Sequence, residues 1–204
     1  MKLYYSPGAC SLSPHIALLE AGLPYDLVKV DLKAKKLENG DDYLTINPKG
    51  QVPALKLDSG EMVTEGPVIV QMIADQAKDK HLAPARDTAE RYKLLEWLNF
   101  VTSELHKNFS PLFAPALSDD TKAFFKNRLA AKFKYLDSHL AGRDYLMGRQ
   151  FTVADGYLFV MLSWAERLKL DLSGFPNLTA YKARVAARPK VQEALTKEGL
   201  LRAS

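Results

Sequence analysis

The sequence is short of cysteine. One Cys in 204 residues excludes an internal disulfide framework and a thiolate zinc cluster, and no metal is expected. Neither sign of charge dominates. Lys and Arg number 28 and Asp and Glu 24, a net charge of +4. No long cationic run accompanies the mildly basic pI near 9.0, so nucleic acid is not an expected partner. Long apolar runs are missing as well. The densest, Tyr157 to Leu162, falls far short of the ~20 residues that span a bilayer, so no membrane partner is expected. Pro7 interrupts the N-terminus before a secretory apolar segment can form. Repeats and low-complexity tracts are also lacking. What is present is ordinary for a globular chain: 47% hydrophobic and 25% charged residues, enough for one large domain or two small ones. A cytoplasmic protein with a reduced thiol fits these properties.

The charge is unevenly placed. The first eighty residues carry 9 Lys, no Arg and 11 Asp or Glu, and the remainder is net basic. The pattern of elements divides in the same region. Lys2 to Tyr5 reads as a strand, broken by Ser6-Pro7-Gly8. From Ser11, Leu12, Ile16 and Leu19 recur at helical spacing, and Gly22 and Pro24 end that helix. Tyr25 to Val30 is a second strand, which a helical crossover makes parallel to the first. Val52 to Leu57 and Glu61 to Thr64 flank a turn at Asp58-Ser59-Gly60 and read as an antiparallel pair. A helix then starts at Glu65-Gly66-Pro67. This order is a thioredoxin-like α/β arrangement, assigned to residues 1–80. Residues 77–87 read as a linker, and residues 87–204 as an all-α domain with helices over Ala89–Phe109, Asp119–Leu140, a stretch after Thr152, and Leu178–Ala187. Thr152 and Asp155 form a capping-box signature, a folding element rather than a catalytic pair.

Cys10 is the sharpest chemical feature. It falls just after the first strand, at the start of the first helix, where orphan N–H groups and the helix dipole favour a thiolate by about 0.3–1 kcal/mol. The motif is Cys10-Ser11-Leu12-Ser13, so a dithiol mechanism is excluded while a monothiol one with an external thiol stays open. Val52-Pro53 is the second feature. A cis bond there turns the Val52 backbone outward, ready to pair with an extended peptide. Third, Glu65 and Gly66 put a carboxylate beside a helix N-terminus, a pair suited to a zwitterion. Fourth, Asn99, Ser103 and His106 are spaced to share one polar stripe of a helix. His15, His81 and His139 have no comparable company and read as structural or surface residues.

Together these stretches resemble the glutathione transferases, and the beta class of bacterial ones in particular, over the full chain. The resemblance rests on Tyr5-Ser6-Pro7-Gly8-Ala9-Cys10-Ser11, Asn47 to Leu55, Thr64-Glu65-Gly66, Trp97-Leu98-Asn99, Glu104-Leu105-His106-Lys107 and Phe151 to Asp155. The Cys10 and Glu-Leu-His-Lys pieces point to the beta class. The resemblance implies glutathione as co-substrate, a small hydrophobic electrophile, and a homodimer. It implies that Cys10 lies against the glutathione sulfur and forms a mixed disulfide with it. The Val52 backbone would pair with the cysteinyl part, Glu65 and Gly66 would hold the γ-glutamyl end, and Lys35 would reach the glycine carboxylate. Asn99, Ser103, Glu104 and the catalytic candidate His106 would come from the helical domain, some from a partner subunit. Tyr5, Ser11, Pro53 and Lys107 are auxiliary candidates. Gly66 departs from the Ser of many relatives, which removes a hydroxyl contact. Phe109, Leu112, Phe113 and Trp164 would wall the electrophile pocket.

The expected activity is transfer of the glutathione thiolate to an electrophile, with disulfide exchange at Cys10 as a side activity. Two other readings compete. One is a glutathione-binding carrier or adaptor without catalysis on the same fold. The other is a dedicated reductive dehalogenase or disulfide reductase with Cys10 as nucleophile.

Overall fold

A computed structural model of the chain describes residues 1–201. The chain forms two compact units, Met1–Ala83 with the segment from Arg188 onward, and Pro84–Ala187. This departs from the boundary expected from sequence, which put everything after residue 87 with the helical half. The reason lies in the C-terminal helix, whose side chains are packed and hydrogen-bonded onto the first unit.

The first unit is built on a five-stranded sheet in the order β3-β2-β1-β4-β5. Its strands are β1 (Lys2–Tyr5), β2 (Asp26–Asp31), β3 (Lys36–Leu37), β4 (Ala54–Lys56) and β5 (Met62–Thr64). β1 and β2 are parallel, Leu3 opposite Leu27, as the helical crossover requires. β4 pairs antiparallel with β1 and with β5. The short β3 was not legible in the polar stretch that holds it, and it pairs antiparallel with β2 at the edge. Along β1, alternate side chains serve opposite faces. Tyr4 joins Val30, Tyr43, Val52 and Ala54 in one buried cluster. Leu3 is fully buried, as are Ile16 and Leu18 of α1 (Leu12–Ala21) and Ile69 and Ile73 of α2 (Gly66–Gln76). α1 ends at Gly22, whose left-handed φ of 67° lets its N–H close on the Leu18 and Leu19 carbonyls.

The second unit is helical. α3 (Ala89–Phe100) begins at Thr88, whose hydroxyl accepts from the Arg91 N–H. The sequence pattern predicts one helix from here to Phe109. The chain instead passes through a π-helical stretch, Val101–His106, before the short turn α4 (Lys107–Phe109). α5 (Asp119–Leu140), α6 (Val153–Arg167) and α7 (Pro176–Ala186) complete the unit. α6 runs through its centre and is buried on every side from Val153 to Leu162, as a helix apolar all round must be. Its start is held by Asp155. That carboxylate accepts from the Thr152 N–H at 2.8 Å, the Thr152 hydroxyl at 2.9 Å, the Leu146 N–H at 2.8 Å and the Tyr181 hydroxyl at 2.9 Å. Among the described residues no helix is long and apolar enough to cross a membrane.

The last helix, α8 (Pro189–Lys197), packs on α1 within the first unit. Just beyond it, Glu198 is buried. Its Oε1 stands 2.8 Å from His15 Nδ1, and its Oε2 accepts from the Gly8 N–H at 2.9 Å. His15 Nε2 continues to the Tyr25 hydroxyl at 2.9 Å. Arg188 meets Glu20 through Nε at 2.7 Å.

Candidate active site

In the first unit, the loop between β1 and α1 carries Cys10. Ser11 stands at the start of α1, and its hydroxyl is fixed within that loop, accepting from the Ser6 N–H at 3.1 Å and donating to the Ser6 carbonyl at 3.3 Å. Ser11 is fully buried, so its hydroxyl shapes the loop. Tyr5 is buried beside His15, and burial pushes its phenol above the ordinary value. Cys10 is half-buried, and its Sγ donates to the Val52 carbonyl at 3.2 Å.

That carbonyl belongs to the cis Val52-Pro53 bond, cis as the sequence suggested. No hydrogen bond reaches the Val52 N–H among the described residues. Tyr43 and Asn47 both donate to the preceding Gln51 carbonyl at 2.8 Å, which anchors the loop from below. Lys35 folds onto the same loop, its Nζ donating to the Gly50 carbonyl at 2.7 Å. Gly50 has φ 60°, which an L side chain rarely adopts, and a Cβ there would also displace Leu44, whose Cδ2 would stand 2.9 Å away.

Glu65 precedes α2 with φ 68° and ψ 110°, a conformation that an L-residue seldom adopts and that concentrates at functional sites. Its exposed carboxylate is paired with Lys49 Nζ at 2.7 Å, and the same ammonium reaches Thr64 Oγ1 at 3.0 Å. Lys49 was not singled out from sequence. Its place in the Asn-Pro-Lys-Gly turn hid a partner sixteen residues away. Gly66 opens α2, and a Cβ on it would lie 3.8 Å from Pro53 Cγ, at ordinary contact distance. Cys10, Val52, Pro53 and Gly66 are therefore contiguous, with Glu65 next in chain.

In the second unit, the π-helical stretch alters the expected stripe. Asn99 and Ser103 remain together on an exposed face, the Ser103 hydroxyl donating to the Asn99 carbonyl at 3.0 Å. His106 instead turns into an aromatic cage. Its Nδ1 lies 2.6 Å from the Tyr157 hydroxyl, and its ring meets Trp164 edge-on at 4.9 Å between centroids. Burial, reinforced by the neighbouring Lys107, lowers its pKa to about 4. His106 is thus a neutral imidazole at pH 7. Trp164 is one of the residues expected to wall the electrophile pocket, but the contact of Tyr157 and Trp164 with His106 has no signal in the sequence.

Phe109 and Phe113 extend the same cage. Their rings meet Trp164 at 6.0 Å and 5.2 Å. Glu104 faces the other way, paired with Lys132 of α5 at 2.7 Å, which holds its carboxyl below the usual range. Lys107 is exposed.

No group of His, Cys, Asp and Glu among the described residues is arranged to hold a metal ion. The first unit presents a thiol beside an outward backbone edge and a helix start. The second presents a neutral imidazole in an aromatic wall.

Comparison with known proteins supplies the lineage. Residues 8–76 match the model for the glutathione S-transferase N-terminal domain, and residues 103–198 that for the C-terminal domain. The chain is 48% identical to the glutathione S-transferase GstA of Escherichia coli O157:H7 over 200 residues, 98% of this chain and 100% of that one. Among solved structures, a ternary complex of BphK, a bacterial glutathione transferase, matches with 56% identity and a TM-score of 0.96, covering 98% of this chain and 100% of that one. A sphingomonad glutathione S-transferase complexed with glutathione matches with 52% identity and a TM-score of 0.95, at the same coverage. These relatives are named as transferases, which favours catalysis over the carrier reading. With both domain models matched in order and relatives near half identity from end to end, the chain belongs to the glutathione S-transferase family.

Proposed function

We propose that this chain transfers the glutathione thiolate to small hydrophobic electrophiles, as a cytoplasmic homodimer acting in detoxification. The observation that carries the proposal is the Val52 edge. Its carbonyl takes the Cys10 thiol at 3.2 Å, and its N–H is left without a partner among the described residues. A peptide in extended form pairs with such an edge as an added strand, which brings the cysteinyl sulfur of glutathione beside Cys10. Glu65 and the N-terminus of α2 receive the γ-glutamyl ammonium and carboxylate. Lys35 turns from the Gly50 carbonyl to the glycine carboxylate. From the helical unit come Asn99, Ser103, Glu104 and His106, the first two from an exposed face suited to reach a partner's site.

Conjugation is a displacement. The glutathione sulfur forms a bond to the electrophilic carbon, the leaving group departs with its electron pair, and the thiol proton passes to solvent. A neutral His106 donates or accepts a hydrogen bond near the sulfur without adding a charge. Disulfide exchange uses Cys10. Its thiolate attacks one sulfur of a glutathione mixed disulfide, the other thiol leaves, and a second glutathione thiolate releases Cys10.

Alkylation of Cys10 by iodoacetamide tests the proposal, because it is the only thiol in the chain. Glutathione is expected to slow the reaction at saturating concentration. An alkylation rate indifferent to a non-reactive S-alkyl glutathione, which binds without forming a disulfide, would overturn the placement of the site. Cys10→Ala separates the two chemistries. It is expected to abolish exchange and to retain conjugation of 1-chloro-2,4-dinitrobenzene.

A further inference from the structure

The aromatic wall of the helical unit ends in a cation. Trp164 and Arg167 lie three residues apart on α6, on neighbouring positions of one helix face. The guanidinium carbon of Arg167 stands 5.8 Å from the centroid of the Phe113 ring. Phe113 in turn meets Trp164 edge-on at 5.2 Å, and Trp164 meets His106 at 4.9 Å. Cation, Phe113, Trp164 and His106 thus follow one another along the wall proposed to receive the electrophile.

Arg167 is exposed and forms no ion pair among the described residues. Its acidic neighbour Glu166 is committed elsewhere, to Lys182 at 2.6 Å. Phe113 is 38% exposed, so the ring under the cation is itself open to a ligand. A planar guanidinium over a ring keeps N–H donors free for a carboxylate, which accepts them in pairs.

We infer that Arg167 is a specificity-determining residue that selects aromatic electrophiles carrying a carboxylate. The inference rests on the transferase reading above and narrows its substrate class. The electrophile's ring lies along the Phe113 and Trp164 edges, and its carboxylate is held by Arg167. In the reaction glutathione sulfur bonds to the ring carbon bearing the halogen, halide leaves with the bonding electrons, and the carboxylate takes no part in bond exchange. The ordinary role for this residue is a cation that complements the C-terminal dipole of α6. In that role it affects stability and treats charged and neutral substrates alike.

A matched pair of substrates separates the two. Initial rates of conjugation would be measured for 4-chloro-3,5-dinitrobenzoate and for 4-chloro-3,5-dinitrobenzamide, with wild-type protein, Arg167→Gln and Arg167→Lys. Arg167→Gln is expected to lower kcat/KM for the benzoate about threefold to fivefold, the worth of one exposed charge contact, through KM. The benzamide is expected to be unaffected. Arg167→Lys is expected to restore part of the benzoate rate, and added salt to erode the benzoate preference of the wild type. Equal changes for both substrates, or none for either, would overturn the role of Arg167 while leaving the transferase reading intact. Wild-type protein that conjugates neither substrate nor 1-chloro-2,4-dinitrobenzene would overturn the transferase reading itself.

Discussion

The imidazole of His106 is largely buried beside Tyr157 and Trp164, and this burial, with the charge of Lys107 next to it in the chain, opposes a positive charge on the ring. Its pKa near 4 lies below the ordinary 6.5, so the folded state binds this proton less readily than the unfolded chain. The sign follows. The neutral ring contributes stability that is fully present above about pH 6.5 and is lost as pH falls through about 4. The His106 Cε1 proton resonance is therefore expected to hold a constant shift from pH 8 down to about 5. A titration midpoint near 6.5 would mean that the ring stands in water. Gly66 has room for a side chain. A Cβ there meets only Pro53 Cγ, at 3.8 Å, so Gly66→Ser fits the existing backbone and adds a hydroxyl at the start of α2. Glutathione binding by calorimetry is expected to tighten by about threefold to tenfold, the worth of one hydrogen bond. Unchanged affinity would place the γ-glutamyl group elsewhere.

Elements show where sequence reading succeeded and where it could not. Lys2–Tyr5, the α1 pattern and the paired strands around Gly60 announced themselves through local periodicity and turn residues, and the sheet follows from them. Cys10 and Glu65 were legible because each sits at a helix start that sequence marks. The π-helical stretch was not legible. Val101, Leu105 and Phe109 suit an α-helix equally well, and only packing of His106 against α6 reveals the wider turn. α8 was missed for a related reason. Pro189 follows α7 as a helix breaker would, yet Pro also suits the first turn of a new helix, where its missing N–H costs nothing. What fixes the end of this helix on the first unit is Glu198, which is 183 residues from its partner His15. Glu198→Ala removes the buried acceptors that His15 Nδ1 and the Gly8 N–H use. A loss of about 3–5 kcal/mol in urea unfolding is expected. A loss below about 1 kcal/mol would mean that water replaces the carboxylate there. Asp155→Asn tests the start of α6 in the same way. An amide nitrogen cannot accept from the donors that share the carboxylate, so a loss of about 2–4 kcal/mol is expected.

In the molecule as a whole, the outer face of α3 leaves apolar side chains uncovered. Tyr92 is 69% exposed and Leu95 37% exposed, and Asn99 and Ser103 continue the same exposed side. Scattered apolar side chains on a surface are ordinary, but here two of them share a helix face with two residues proposed to serve glutathione. Both facts are accounted for if that face meets a second copy of the chain. Covering the exposed parts of a Tyr and a Leu on each copy removes apolar surface from water, worth about 25 cal/mol per Å². It also delivers Asn99 and Ser103 to the partner's site. Sedimentation equilibrium is expected to give twice the 22.8 kDa of one chain. The double substitution Tyr92→Glu with Leu95→Glu is expected to yield a folded monomer, because both positions are solvent-facing in the isolated unit. That monomer is expected to bind glutathione more weakly, because the two polar residues leave with the partner. A double variant that stays dimeric would move the interface to another face. A monomer with undiminished glutathione affinity would show that each chain completes its own site.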